Sequence, residues 1–128
     1  MILIAGGSGL IGSRLISSLN RHGYQVSILR TSLKEHPEAR VYSWNPAKGF
    51  MEEGAIENAN ILINLAGSNL GSKRWSRARK ETILKSRTIP GRLLYQKIKE
   101  TGRRPEVLIS MSAVGYYGSK TSDRVFTE

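Results

Sequence analysis

The 128-residue sequence predicts an α/β domain built on a doubly wound parallel sheet, with five strands in the order 3-2-1-4-5. Three observations carry that prediction. Short continuous apolar runs recur along the chain, as in strands covered on both faces. Segments with helical apolar spacing separate them. Glycines crowd the first junction between a run and a helical segment, in "MILIAGGSGLIGSRL".

Ile2–Ala5 is the first strand. Leu10, Ile11, Leu15, Ile16 and Leu19 mark one stripe of a helix from Leu10 to Arg21, and Gly23 in "RHGYQ" supplies its stop. Val26–Leu29 is the second strand. The polar, proline-containing "RTSLKEHPEAR" is a loop. Val41–Trp44 is the third strand and "NPAKG" a turn. Residues 52–59 suit a short helix. Ile61–Leu65 is the fourth strand, running into "NLAG". A helical pattern extends from Trp75 to Thr101, with Pro90 as the place where it could break. It sets Trp75, Ala78, Ile83, Leu84, Leu93, Leu94 and Ile98 toward a sheet. "TGRRP" is a loop, and Val107–Met111 is the fifth strand. No repeat, low-complexity tract or linker divides residues 1–128, so a single domain is expected.

The absence of cysteine excludes disulfides and thiolate metal sites. His22 and His36 are isolated, and no metal site is expected. No apolar run approaches the ~20 residues of a membrane span. The opening also lacks a basic leader region, so the cytoplasm is the expected location. Ser110 and Ser112 have no nearby histidine for a hydrolase triad. Glu52 and Glu53 read as helix N-terminal charge, and Trp44 and Trp75 as core or loop anchors.

The net charge of +10 belongs to one segment. Lys73 to Arg104 holds twelve Lys and Arg against two Glu, while the rest holds eight of each sign. Clustered cations with a tryptophan are an electrostatic footprint of nucleic-acid binding. The helical apolar spacing favours instead a helix on a sheet with a charged outer face. Charge alone speaks only to non-specific association, so nucleic acid is not the expected partner.

The glycine loop carries the chemistry. Gly6-x-x-Gly9-x-x-Gly12 lies between the first strand and the first helix, and Gly7-x-Gly9-x-x-Gly12 fits equally. In a dinucleotide site one glycine permits the tight turn, a second lets a pyrophosphate approach the backbone, and a third lets the helix pack on the sheet. The helix N-terminus offers N–H groups and a positive dipole end to the phosphates. No Gly-Lys-Ser/Thr follows, which argues against a P-loop. After the second strand, a carboxylate would favour NAD by bonding a ribose hydroxyl. Here stand Arg30, Thr31, Ser32 and Lys34, with no acid before Glu35. A cation and hydroxyls suit a 2′-phosphate, so NADP(H) is expected over NAD(H).

"AGGSGLIG", "INLAG", "KRWSRARKETILKSR" and "SMSAVGYYG" together resemble the extended short-chain dehydrogenase/reductases, in particular their nucleoside-diphosphate-sugar epimerase-like branch. The resemblance runs from Met1 to Glu128. It implies a Rossmann fold binding NADP(H), with Gly6, Gly9 and Gly12 in the cofactor loop and Ser8, Leu10 and Ile11 lining it. It places Arg30 and Thr31 at the adenosine 2′-phosphate, Leu65, Ala66 and Gly67 beside the cofactor, and Arg87 near it. It implies that Ser112 polarises a substrate oxygen and that Tyr117 lines the substrate side. The family's catalytic Tyr-x-x-x-Lys pair lies on a helix well after the fifth strand. Tyr116 to Lys120 spells that pattern, but it contains a glycine and begins four residues past Ser112. It is read as a loop without a helix to hold both side chains on one face. The chain is thus expected to be an N-terminal portion of the family fold, without the C-terminal part that builds the substrate pocket.

The expected function is the NADP(H)-binding domain of a sugar-nucleotide epimerase/reductase-like protein, catalytically incomplete as this chain. A non-catalytic dinucleotide-binding module and a basic nucleic-acid-associating domain are the alternatives. The fifth strand is expected at an exposed sheet edge, inviting self-association there.

Overall fold

The central apolar runs become strands here because both faces of the sheet are covered there. The computed structural model describes residues 1–32, 34–71, 74 and 76–111. In chain order it contains β1 (Ile2–Ala5), α1 (Leu10–Arg21), β2 (Val26–Arg30), β3 (Arg40–Asn45), a 3-10 turn (Pro46–Lys48), β4 (Phe50–Met51), β5 (Ile61–Asn64), α2 (Arg77–Thr101) and β6 (Val107–Ser110).

One sheet contains six strands in the order β4-β3-β2-β1-β5-β6. The expected five-strand order is therefore corrected. Asn45 caps the 3-10 turn by accepting from the Lys48 N–H, and Gly49 takes the left-handed conformation at its end. The chain is thereby sent back along β3, and Phe50–Met51 pairs antiparallel with Trp44 and Asn45 as an extra edge strand. The other pairings between these strands are parallel. The architecture is Rossmann-like.

Alternation along the strands feeds two apolar layers. Ile2, Ile4, Val26, Ile28 and Ile63 face α1 and close over its Ile16. Leu3, Ala5, Leu29, Tyr42, Trp44 and Leu62 face the other side with Leu93 and Leu94 of α2. Residues 53–58, expected as helix, form successive turns. They still bury Ala55, Ile56 and Ala59 in the second layer. Burial of three small or branched side chains fixes this segment without a regular helix.

Helix α2 runs unbroken through Pro90. A proline inside a helix costs about 3 kcal/mol. Burial of Pro90, Leu93 and Leu94 together offsets it. At 25 residues the helix is about 37 Å long. The four-residue strands beside it span only about 13 Å. Among its described residues none before Pro90 is buried, and Leu84 and Ala78 are exposed rather than laid on the sheet as their spacing suggested. The N-terminal half of α2 therefore projects past the strands. Because α2 connects two parallel strands, that half projects beyond their carboxyl ends. None of the described helices is long and apolar enough to cross a membrane.

Candidate functional site

From β1 the chain winds outward through β2 and β3, then returns to the other side of β1 with β5. Such a reversal opens a crevice outside the carboxyl ends of the two central strands, where open α/β sheets take their ligands. The loop after β1 and the loop after β5 form its walls, and they touch. A Cβ on Gly6 would lie 2.7 Å from the Leu65 carbonyl carbon and oxygen, and Gly6 has φ +85°. No other residue fits there without strain.

Both spellings of the glycine motif have a structural use. Gly7 is buried, and a Cβ on it would meet Ile28 at 2.7 Å and Ile16 at 3.2 Å. On Gly12, a Cβ would come within 2.5 Å of the Gly6 carbonyl oxygen and 2.6 Å of the Gly7 Cα. These residues let the loop sit down on the sheet and the helix sit down on the loop. Gly9 differs. A Cβ there would make only an ordinary contact, 3.5 Å from the Gly6 oxygen. Its backbone (φ −79°, ψ 172°) is extended and open to any residue. The protein's own packing does not require glycine at position 9. Bare backbone at that point leaves room for a ligand.

Gly9 is also the N-cap of α1, with no side-chain capping bond and no acid in the first turn. The first N–H groups of a helix lack intrahelical partners, and the dipole end there is positive. In α2, by contrast, the Ser76 hydroxyl accepts from the Arg79 N–H. Ser8 and Gly9 are exposed beside the α1 terminus. Leu10 and Ile11, expected in the apolar stripe, are 77% and 53% exposed. They belong to neither core layer and lie in the first turn of α1, directly after Gly9. An anionic group with apolar flanks fits this terminus, and the residues present suit the pyrophosphate of a dinucleotide.

The opposite wall, Leu65 to Gly67, is strapped to the projecting half of α2. The Ser68 N–H donates to Ser86 Oγ at 2.9 Å, and that hydroxyl donates to the Ile83 carbonyl at 2.7 Å. The Arg87 guanidinium lies against Gly67 and contacts the Ser68 carbonyl at 3.5 Å. The Arg79 guanidinium bonds the Asn69 carbonyl. Arg87, which the family resemblance puts near a cofactor, is seen here holding the loop. Arg79 and Ser86 were missed in the sequence. Their positions on one helical face, at 79, 83, 86 and 87, were the available signal.

At the end of β2, Arg30 donates from Nη1 to the Lys34 carbonyl at 3.1 Å and lies 3.4 Å from that of Glu35. Thr31 lines a cleft of ≈ 390 Å³ between this strand end, the 3-10 turn and α2. Pro46, Ala47, Ile89 and Pro90 give it apolar walls, while Asn45, Thr82, Lys85 and Ser86 add polar atoms. Ser112, Tyr117 and Trp75 lie outside the described residues.

Residues 2–128 match the NAD dependent epimerase/dehydratase family. An epimerase family protein of Mycobacterium leprae is 38% identical over 128 residues, which is 100% of this chain and 40% of the relative. Among solved structures, a human epimerase family protein with NADPH matches with a TM-score of 0.73 and 27% identity, over 93% of this chain and 38% of that one. The nucleoside-diphosphate sugar epimerase from Corynebacterium glutamicum matches with a TM-score of 0.72 and 29% identity, over 98% and 25%. The chain spans about 40% of the length of the curated relatives it matches. With the sequence match covering nearly every residue and the same winding of strands and helices, the chain belongs to the NAD dependent epimerase/dehydratase family.

Proposed function

We propose that this chain is the cofactor-binding module of an epimerase-like protein, and that its cofactor is NADP(H) in preference to NAD(H). The observation that carries the proposal is the uncapped N-terminus of α1 with an open Gly9 before it. The glycine loop and the Leu65–Gly67 loop bind and orient the dinucleotide between them. Arg30 and Thr31, at a strand end with no carboxylate before Glu35, favour an adenosine 2′-phosphate over a free ribose. The NADPH present with the human relative supports the same choice. When bound, the nicotinamide supplies a hydride donor or acceptor. By the family resemblance, Ser112 stabilises the substrate oxygen and Tyr117 lines the substrate side. The substrate class of the whole protein is a nucleotide sugar.

Isothermal titration tests the assignment directly. NADPH is expected to bind in the micromolar range and NADH more weakly. Arg30→Asp is expected to reduce or invert that preference. No heat of binding with either dinucleotide would overturn the module's function. An unchanged preference in Arg30→Asp would overturn the role given to Arg30.

A further inference from the structure

We propose that Lys85 reads the 2′-phosphate of the adenosine end, and that Glu81 is the anion this phosphate displaces from it. The proposal rests on the dinucleotide function given above and adds a specificity-determining residue from a different element, fifty-four positions after Thr31. Three features of the cleft beside Thr31 lead to it.

The first is position. Thr31 follows β2 directly, and β2 pairs with β1 in register, Ala5 opposite Leu29. The cleft therefore opens on the same carboxyl edge as the glycine loop, one strand away from it. A ligand anchored by its pyrophosphate at α1 reaches this edge with its nucleoside end. The second is composition. Pro46, Ala47, Ile89 and Pro90 offer flat apolar surfaces, as a purine ring requires. Thr31, Thr82 and Lys85 supply hydroxyls and one ammonium at the rim.

The third is the state of the cations. Among the described residues lining the cleft, Lys85 is the one Lys or Arg. Arg30, just before Thr31, already donates from Nη1 to the Lys34 carbonyl, so Lys85 is a second cation for the same phosphate, supplied from the facing helix. Among the described residues Lys85 pairs with Glu81, at 2.7 Å, and both side chains are 61% exposed. An exposed pair one helical turn apart is worth only a few tenths of a kcal/mol. A phosphate dianion carries more charge and three acceptor oxygens, so it outcompetes the carboxylate. Lysine, a point charge on a flexible stem, can swing between the two without moving the helix.

The competing explanation is a plain surface ion pair on α2. Titration with adenosine 2′,5′-bisphosphate and with adenosine 5′-monophosphate separates the two. These probes differ only in the group at issue. Lys85→Gln is expected to weaken the bisphosphate about tenfold, consistent with loss of one charge-assisted bond, and to leave the monophosphate unchanged. Lys85→Arg is expected to retain most of the discrimination. Glu81→Gln is expected to tighten the bisphosphate roughly two- to threefold by freeing Lys85. Both positions are exposed, so the variants fold, and unchanged circular dichroism checks this. Equal weakening of both probes, or an unchanged ratio in Lys85→Gln while wild type binds NADPH, overturns the role of Lys85 alone. Failure of the wild-type chain to bind NADPH or either probe overturns the dinucleotide function itself.

Discussion

A Cβ placed on Gly12 would lie 2.5 Å from the carbonyl oxygen of Gly6. The first turn of α1 and the turn after β1 are in direct backbone contact, and their closeness sets where the helix N-terminus points. Gly9, between them, makes no such demand. Gly12→Ala is therefore expected to cost about 3 kcal/mol, the upper end for overpacking. Gly9→Ala is expected to cost about 1 kcal/mol or less, as for a change at an N-cap. Dinucleotide affinity should fall at least tenfold in Gly9→Ala while the fold persists. Urea unfolding and isothermal titration on the two variants check the split. Full affinity in Gly9→Ala would mean that the open backbone serves no ligand.

Ser86 holds the wall opposite the glycine loop. Its hydroxyl accepts the Ser68 N–H at 2.9 Å. Removing it leaves a half-buried donor unpaired, which costs about 1–2 kcal/mol. The expected result in Ser86→Ala is local loosening of residues 65–71, with the rest of the sheet unaffected. Hydrogen exchange should speed up in peptides covering that loop and nowhere in β1 or β2.

These two loops differ in how far the sequence revealed them. "GGSGLIG" announced a turn and a helix start because glycine at such density has few other uses. That Gly7 is demanded by Ile28 and Ile16, and Gly9 by neither, needed the packed sheet. The buried runs Ile2–Ala5 and Val26–Leu29 were legible because they are short and apolar, with Ser27 the one polar residue among them. Phe50–Met51 was not, since two residues have no period and depend on the turn at Gly49 for their pairing. Leu84 misled because helical spacing says which face a residue shares. It does not say whether a neighbour exists at that height along the helix. Length against length decided it: α2 is nearly three times as long as the strands it covers. Its projection also puts Lys85 on the cleft that Thr31 lines, a shared wall that sequence separation conceals.

The Glu81 carboxyl is held below the ordinary carboxylate range, first by the hydrogen bond from Lys85 and then by its charge. A depressed folded value means the pair contributes above the ordinary carboxylate range and is lost as pH falls through the lowered value. The pair lies on the exposed face of α2, so global stability should scarcely respond. Carbon-detected NMR titration of the Glu81 side chain is the suitable measurement. Its midpoint is expected to lie low in wild type and to return to the ordinary range in Lys85→Gln. High salt should close part of the gap in wild type. Identical midpoints in the two proteins would show that the pair does not form in solution.

The far edge of the sheet bears on assembly. Among the described residues, strand β6 pairs with β5 and with no other strand. Val107, Leu108, Ile109 and Met111 are each about half exposed or more. An edge strand with apolar side chains and free backbone groups is a template for another strand. Burying the remaining halves of these four side chains would yield roughly 4 kcal/mol. Association costs on the order of 4 kcal/mol or more before any gain appears. Only the added edge hydrogen bonds, each worth about 1 kcal/mol, tip the balance. The expected outcome is weak self-association, with a dissociation constant on the order of 100 μM. Sedimentation velocity should show the average mass rising with concentration. Ile109→Lys should remove the rise, since a lysine on an edge strand opposes pairing, and should change stability little because the site is exposed. A wild-type chain that stays monomeric at millimolar concentration would mean that this edge is not sticky enough to overcome the entropy of pairing.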